Sequence, residues 1–272
     1  MTDPQELLAT REQGVLTLTI NRPEAGNAIP YTLRDSLTAA FSEAHRDLHT
    51  RAIVLTAAGE RHFCTGADLR VRPPAPSLPE GAPERPVGSA TQTMRDGFQR
   101  LMTSMQDCEK PIICALNGTA AGGGVMLALA SDLVIAAEHA KLVQVFVRRG
   151  LIPDGGVAYL LPRVVGMHKA KELLFFGDDL GASDALQIGL VNKVVPGSEL
   201  ASTASEWAAR LAAGPTKAIG WTKRLLHDAS GVDRDRLLLQ EALLVELNTG
   251  TADSKEGVAS FVERRDPQWS GF

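Results

Sequence analysis

The sequence predicts an α/β fold whose last part is mainly helical. Two observations carry this. Over the first 140 residues short apolar, strand-like runs alternate with helical periodicity, which implies parallel strands joined by crossovers. After residue 165 the strand signal fades and amphipathic helical runs take over. The 272 residues, 44% hydrophobic and 22% charged, suffice for a large core, as one large domain or two small ones.

In chain order, residues 14–20 (GVLTLTI) set Leu16, Leu18 and Ile20 against Thr17 and Thr19, a strand with one better-buried face. NRPEAGNA follows as a turn. From Thr32 to Leu48 the apolar residues recur at helical spacing, and RAIVLTAAG is a short buried strand ending at Gly59. The pair repeats as a long helix around Met94 to Cys108 followed by PIICALNG, and again as the strand DLVIAA at 132–137. Between Arg72 and Ser89 six prolines make a loop, read either as an active-site flap or as a surface insertion. KAKELLFFG is a short helix with Gly177 as its C-cap, and SDALQIGLV another with Ser183 as its N-cap. Amphipathic runs from Ala201 to Leu226 and from Asp233 to Leu247 complete the chain, which divides into a core (1–204) and a helical region (205–272).

A formal charge of −4 argues against nucleic acid or an anionic membrane as partner, because both demand a basic face. No apolar stretch approaches spanning length and the start is not that of a secretory signal, so the chain reads as cytoplasmic. Cys64, Cys108 and Cys114 form no close-spaced pair and read as buried free thiols. His62, His139 and His168 have no ligand-like spacing, so no metal site is expected.

The stretch AAGGGVMLALA, residues 120–130, sets three glycines between a strand and a helix. There is no GKS or GKT for a phosphate loop, Leu127 breaks a GxGxxG match, and no GxSxG elbow exists. Glycines at that point let a ligand approach the main chain, where the first amides of a helix are free donors. They suit an oxyanion, or tight helix-strand packing.

A second glycine turn ends a strand in RHFCTGADL, 61–69. Together with NRPEAGNA, ALNGTAAGGGVMLALASDLVIAAEHAKL, GLIPDGGVAYLLPRVVG, LLFFGDDLGASDALQIGLVNKVVP and EGVASFVERRDP, it resembles the crotonase superfamily, the enoyl-CoA hydratases and isomerases. That resemblance implies a spiral of ββα units with a helical C-terminal region that mediates assembly into a homotrimer or a dimer of trimers. It implies an acyl-CoA thioester as substrate, with no other cofactor. The thioester oxygen is expected between the amides of Ala67 and Gly123, with Gly122 in the same run. Asp68 and Leu69 resemble the lining of the adenine pocket, Ala28 a main-chain contact near CoA, and Arg22 a phosphate contact or else a solvated turn residue. Lys217 and Lys223 read as phosphate contacts from a neighbouring subunit, or as ordinary charged helix faces.

One departure is informative. Hydratases of this superfamily carry a glutamate two residues after the glycine run and another before the GLIP-like turn; here Met126 and Phe146 stand there. Hydration needs groups to deprotonate water and to deliver a proton, so losing both opposes it. Asp154, in GLIPDGG, matches the acid of isomerase members with a GLxPD turn, and burial beside Phe146, Met126 and Ile152 is expected to raise its pKa. Val145 and Phe98 join Met126 and Phe146 as an expected apolar pocket. Three readings follow: an enoyl-CoA isomerase working through Asp154, a hydratase with atypical acid-base groups, or a non-catalytic acyl-CoA binder.

Overall fold

A computed structural model describes residues 6–71, 77–83 and 86–272. Ten strands run in chain order as β1 (Leu7–Glu12), β2 (Val15–Ile20), β3 (Ala52–Ala57), β4 (His62–Cys64), β5 (Ile112–Leu116), β6 (Thr119–Ala121), β7 (Leu133–Ala137), β8 (Lys141–Val143), β9 (Asp179–Gly181) and β10 (Lys193–Val195). They form two sheets, β1-β2-β3-β5-β7-β10 and β4-β6-β8-β9. Beyond the antiparallel β1/β2 pair the large sheet is parallel, as the crossovers require. The helices are α1 (Tyr31–Arg46), α2 (Ser89–Met94), α3 (Arg100–Gln106), α4 (Gly123–Ala130), α5 (Val157–Val165), α6 (Met167–Phe176), α7 (Ala182–Gln187), α8 (Leu200–Ala212), α9 (Thr216–Asp228), α10 (Arg234–Thr249) and α11 (Ala252–Glu263).

The pairs β3/β4, β5/β6 and β7/β8 each send one strand to the large sheet and the next to the small one, and this is the ββα spiral. Long apolar runs such as IICAL in β5 are buried throughout, as a covered parallel sheet demands, while β2 alternates. Leu16, Leu18 and Ile20 face the core beside Leu33, Leu37 and Phe41 of α1. The three residues of β4, β6 and β8 are too few to show a period-two signature, so the sequence reading has no second sheet.

Four expectations need correction. The helix expected around Met94 to Cys108 is α2 and α3 joined by a wide turn over Arg95–Gln99, with Gly97 at non-helical angles. Ser183 lies inside α7, and Gly181 takes the N-cap position. The run from Ala201 to Leu226 breaks at Gly214 and Pro215 into α8 and α9. A division at 204/205 cuts α8, whose Ala204 and Ala208 are both buried in the one core. Gly177 does end α6, in the left-handed region at φ 67°. Of the proline-rich stretch, residues 72–76, 84 and 85 lie outside the described residues, and the flap expectation lies largely there.

Buried polar ties dock the C-terminal helices. Lys223 Nζ donates to Asp132 Oδ2 at 2.8 Å, and Asp132 also accepts the Ile112 amide at 2.7 Å. Arg51 donates to Gly214 O at 2.7 Å and Thr216 Oγ1 at 2.9 Å. Asp253, 4% exposed, accepts from the Ser270 and Gly271 amides. Lys217 pairs with Glu109 at 3.1 Å, so neither lysine is a free surface cation in this chain.

All three cysteines are free and buried, and burial pushes the Cys64 thiol up to about 12. Against Cys64 packs α4: a β-carbon on Gly124 would lie 2.1 Å from the Cys64 carbonyl oxygen. Backbone cannot yield there as a side chain can. Gly124→Ala is therefore expected to cost about 3 kcal/mol and to lower the unfolding midpoint by about 5–10 °C, read by scanning calorimetry. An unchanged midpoint would contradict the packing.

Candidate active site

Three neighbouring strands of the small sheet, β4, β6 and β8, run parallel and release their chains at the same end. Ligand sites of α/β proteins lie at such carboxyl ends. From β4 come Thr65, Gly66, Ala67 and Leu69; from β6, Gly122 and Gly123; from β8, Val145, Phe146, Arg149, Leu151 and Asp154. With Phe98 from the wide turn before α3 they line one cavity of about 110 Å³.

The two glycine turns touch through their main chains. Gly66, at φ 95°, has the Ala121 carbonyl oxygen 3.0 Å and the Gly123 nitrogen 3.2 Å from where a β-carbon would sit. Gly122 donates to Val143 O at 3.1 Å and accepts from the Met126 amide at 3.0 Å, which starts α4. Around Ala67, Ile29 donates to Gly66 O at 2.8 Å and Asp68 donates to Ile29 O at 2.9 Å. The amides of Ala67 and Gly123 themselves donate to no group among the described residues. Two unspent donors on touching turns, one at a helix start, are an arrangement that can accept an oxygen bearing negative charge.

Behind these turns lies a polar frame. Arg22, which sequence reading offered as a phosphate contact, donates to Ala28 O at 2.6 Å and to Asp68 Oδ2 at 3.1 Å, and meets Glu6 at 2.9 Å. Its guanidinium is committed to structure. Asp68 is 5% exposed and also takes Arg70 at 2.8 Å; hydrogen bonds from Arg70, then from Arg22, hold its carboxyl down to about 2. Asp68 thus acts as an anchor for the turn that carries Ala67. Ala28 is buried and engages Arg22 through its carbonyl, and Leu69, 69% exposed, stands at the rim.

Asp154 sits in a different environment. Its backbone carbonyl accepts from Val157 at 3.1 Å, and no cation or donor meets its carboxylate among the described residues. Burial pushes its pKa up, as expected. The following Gly155 packs against Phe98 and Met126, whose atoms lie 3.4 and 3.5 Å from a β-carbon built there. Ile152, expected to help bury Asp154, is instead 83% exposed. Met126 is fully buried and does not line the cavity; it packs against Gly155, next to Asp154 in the chain.

Sequence reading missed Asn27, Thr65, Arg149 and Leu151. Asn27, fully buried at φ 52°, donates to Ala58 O and His62 O and so ties the NRPEAGNA turn to β4. An asparagine before an apolar pair in a turn was the available signal. His139 bonds the carbonyls of Glu60 and Asn117, away from this cavity. A larger cavity of about 550 Å³ lies between α8 and the Thr17 and Thr56 face of the large sheet; it holds neither the free amide pair nor Asp154.

Residues 10–271 match the family model described as enoyl-CoA hydratase/isomerase. The chain is 39% identical over 265 residues to the 1,2-epoxyphenylacetyl-CoA isomerase of Escherichia coli K12, covering 97% of this chain and 98% of that protein. It is 34% identical over 259 residues to the short-chain-enoyl-CoA hydratase of Clostridium acetobutylicum, covering 95% of each. The crystal structure of enoyl-CoA hydratase from Bacillus anthracis superposes with a TM-score of 0.88 at 31% identity, covering 98% of this chain and 100% of that one. With the two-sheet spiral, the paired glycine turns and matches spanning nearly the whole length, the chain belongs to the enoyl-CoA hydratase/isomerase family, the crotonase superfamily.

Proposed function

We propose that this acyl-CoA-transforming enzyme is an enoyl-CoA isomerase that shuttles one proton through Asp154. The observation that carries the reading is the cavity's acid-base content: Asp154 is its single carboxylic acid among the described residues, while Met126 and Phe146 occupy the two hydratase glutamate positions. The thioester oxygen accepts from the amides of Ala67 and Gly123. Asp154 takes a proton from C2 of a 3-enoyl thioester, the C2–H electrons enter the conjugated system, and the enolate oxygen rests on the two amides. The same carboxyl returns the proton at C4, so the double bond moves with no net gain or loss of atoms. No redox step arises, and CoA enters as part of the substrate.

Preorganised main-chain donors supply most of the stabilisation, because the charge they meet develops only in the transition state; one such donor is worth about 100- to 1000-fold in rate. The apolar wall of Phe98, Val145 and Phe146 keeps water from the enolate and supports isomerisation over hydration. Assembly as a homotrimer or dimer of trimers belongs to the same proposal. Leu226, Leu239, Leu243, Val258 and Phe261 of the C-terminal helices are all more than half exposed, apolar side chains of the kind that subunit contacts cover.

Asp154→Asn keeps the side chain's shape without its basicity. It is expected to lose solvent-deuterium incorporation at C2 and isomerisation together, by at least about 100-fold, while thioester affinity stays within about threefold. Mass spectrometry in heavy water reads both; equal exchange in the two proteins would remove Asp154 from the mechanism, and efficient 3-hydroxyacyl-CoA formation would favour a hydratase.

The base must be ionised to act. A carboxyl whose folded pKa is raised takes up its proton at a higher pH than usual, so the active form is present above that pKa and is lost as pH falls through it. The acid limb of kcat/KM is therefore expected clearly above pH 4, the ordinary carboxylate range. A limb at or below that value would mean the working acid is not desolvated.

Light scattering at micromolar concentration is expected to give three or six times the chain mass. A monomer would defeat the assembly.

A further inference from the structure

Resting on the site assignment proposed above, with the thioester oxygen on the Ala67 and Gly123 amides and Asp154 serving the acyl carbons, we infer that Phe98 decides which acyl chains enter. It admits chains unbranched at C3 and excludes those that carry substituents beside the reacting carbons.

Phe98 owes its position to the wide turn between α2 and α3. Gly97, at φ −97° and ψ −114°, breaks the helical path there and is buried, while Arg95, Asp96, Gln99 and Arg100 around it are exposed. Two contacts pin the segment. On one side a β-carbon at Gly97 would lie 2.7 Å from Arg34 Nη1 of α1. On the other, Met102 of α3 closes over the turn that carries Asp154, its Cε 2.6 Å from where a β-carbon of Gly156 would sit. Of the whole stretch from α2 to α3, Phe98 alone lines the cavity.

Its side chain reaches from one functional turn to the other. The Phe98 Cβ lies 3.4 Å from a β-carbon built on Gly155, the residue after Asp154. Its ring atoms Cε1 and Cζ lie 3.1 and 3.6 Å from one built on Gly123. A thioester held by its oxygen at Gly123 and met by the acid at Asp154 therefore lays its first carbons along this phenyl group, whichever way the rest of the chain runs. The cavity of about 110 Å³ has room for roughly four groups the size of a water or a methylene. A straight chain fits in it and packs on the ring; methyl groups at C3 meet the ring, which Gly123 and Gly155 leave little space to retreat. Forcing added methyls into a packed wall is unfavourable.

Two saturated thioesters test this without any chemistry, butanoyl-CoA and 3,3-dimethylbutanoyl-CoA, which share the CoA part and differ at C3. Calorimetry on wild type is expected to give butanoyl-CoA the lower Kd by about 10- to 100-fold. Phe98→Ala, which removes the phenyl ring, should bring that ratio within about threefold, chiefly by tighter binding of the branched probe. Phe98→Leu should fall between, and it carries the test if circular dichroism shows the alanine variant unfolded. Equal binding of the two probes by wild type overturns the inference. So does a ratio that Phe98→Ala and Phe98→Leu leave unchanged, including a loss of affinity shared equally by both probes, which would make Phe98 a support for the wall and no more. Deuterium exchange at C2 of a straight 3-enoyl-CoA separates this from the isomerase reading. Normal exchange with no Phe98-dependent selectivity sinks the inference alone. Absent exchange, with the selectivity present and dependent on Phe98, sinks only the isomerase reading.

Discussion

The site depends on a contact between two main chains. Where β4 and β6 end, Gly66 meets Ala121 and Gly123, and Gly124 meets Cys64, with no space for a β-carbon at Gly124 and little at Gly66. The two unspent amides of Ala67 and Gly123 are therefore placed by backbone alone. A pair of amides fixed by sheet register and helix start has no rotamers to lose when substrate binds, and no reorganisation to undergo as charge develops. That rigidity is also why the residues are glycines: any side chain at Gly124 would drive α4 off the sheet that positions it.

Two carboxylates near this contact are treated in opposite ways, and the contrast separates support from chemistry. Asp68 gathers Arg70 and Arg22 and falls to about 2, a permanently charged pin that holds the Ala67 turn. Asp154 gathers nothing and is raised by burial alone. A carboxylate saturated with donors is a poor base, since its lone pairs are already occupied; one that meets no donor keeps its lone pairs free to take a proton. The outer helices follow the first pattern, docking through Lys223 with Asp132 and through Asp253 with the C-terminal tail.

What the sequence revealed and what it hid divide along physical lines. The large-sheet strands β2, β3, β5 and β7 and helix α1 were legible because each carries enough apolar periodicity to declare itself. The small sheet was not, since three-residue strands have no period to read. Ala67, Gly122, Gly123, Phe146 and Asp154 came from motif resemblance, and the structure gathers them at one cavity. Arg22 looked like a ligand contact because an arginine in a turn is exposed by default; only the fold reveals Glu6, Ala28 and Asp68 closing around it. Arg149 stayed hidden for the opposite reason. A charged pair at the end of a strand reads as solvated surface, and its place on the cavity wall depends on how Gly150 turns the chain.

The two missing glutamates also bear on the acid that remains. Met126 is fully buried behind Gly155, and Phe146 is 6% exposed in the cavity wall. A glutamate in place of Phe146 would put a second carboxylate in the cavity that Asp154 lines, and two acids sharing a site titrate as a coupled pair. With thioether and phenyl groups there instead, no second carboxylate stands in the cavity among the described residues, and the proton affinity of Asp154 is raised by burial alone. On the proposed isomerase reading, the loss of a water-activating pair and the tuning of Asp154 are thus one change rather than two. For the proposed shuttle, which accepts a proton from C2 and donates it to C4, a carboxyl works best near its own pKa, so the residues that stand in place of a water-activating pair are also those that suit a lone carboxyl to moving a proton both ways.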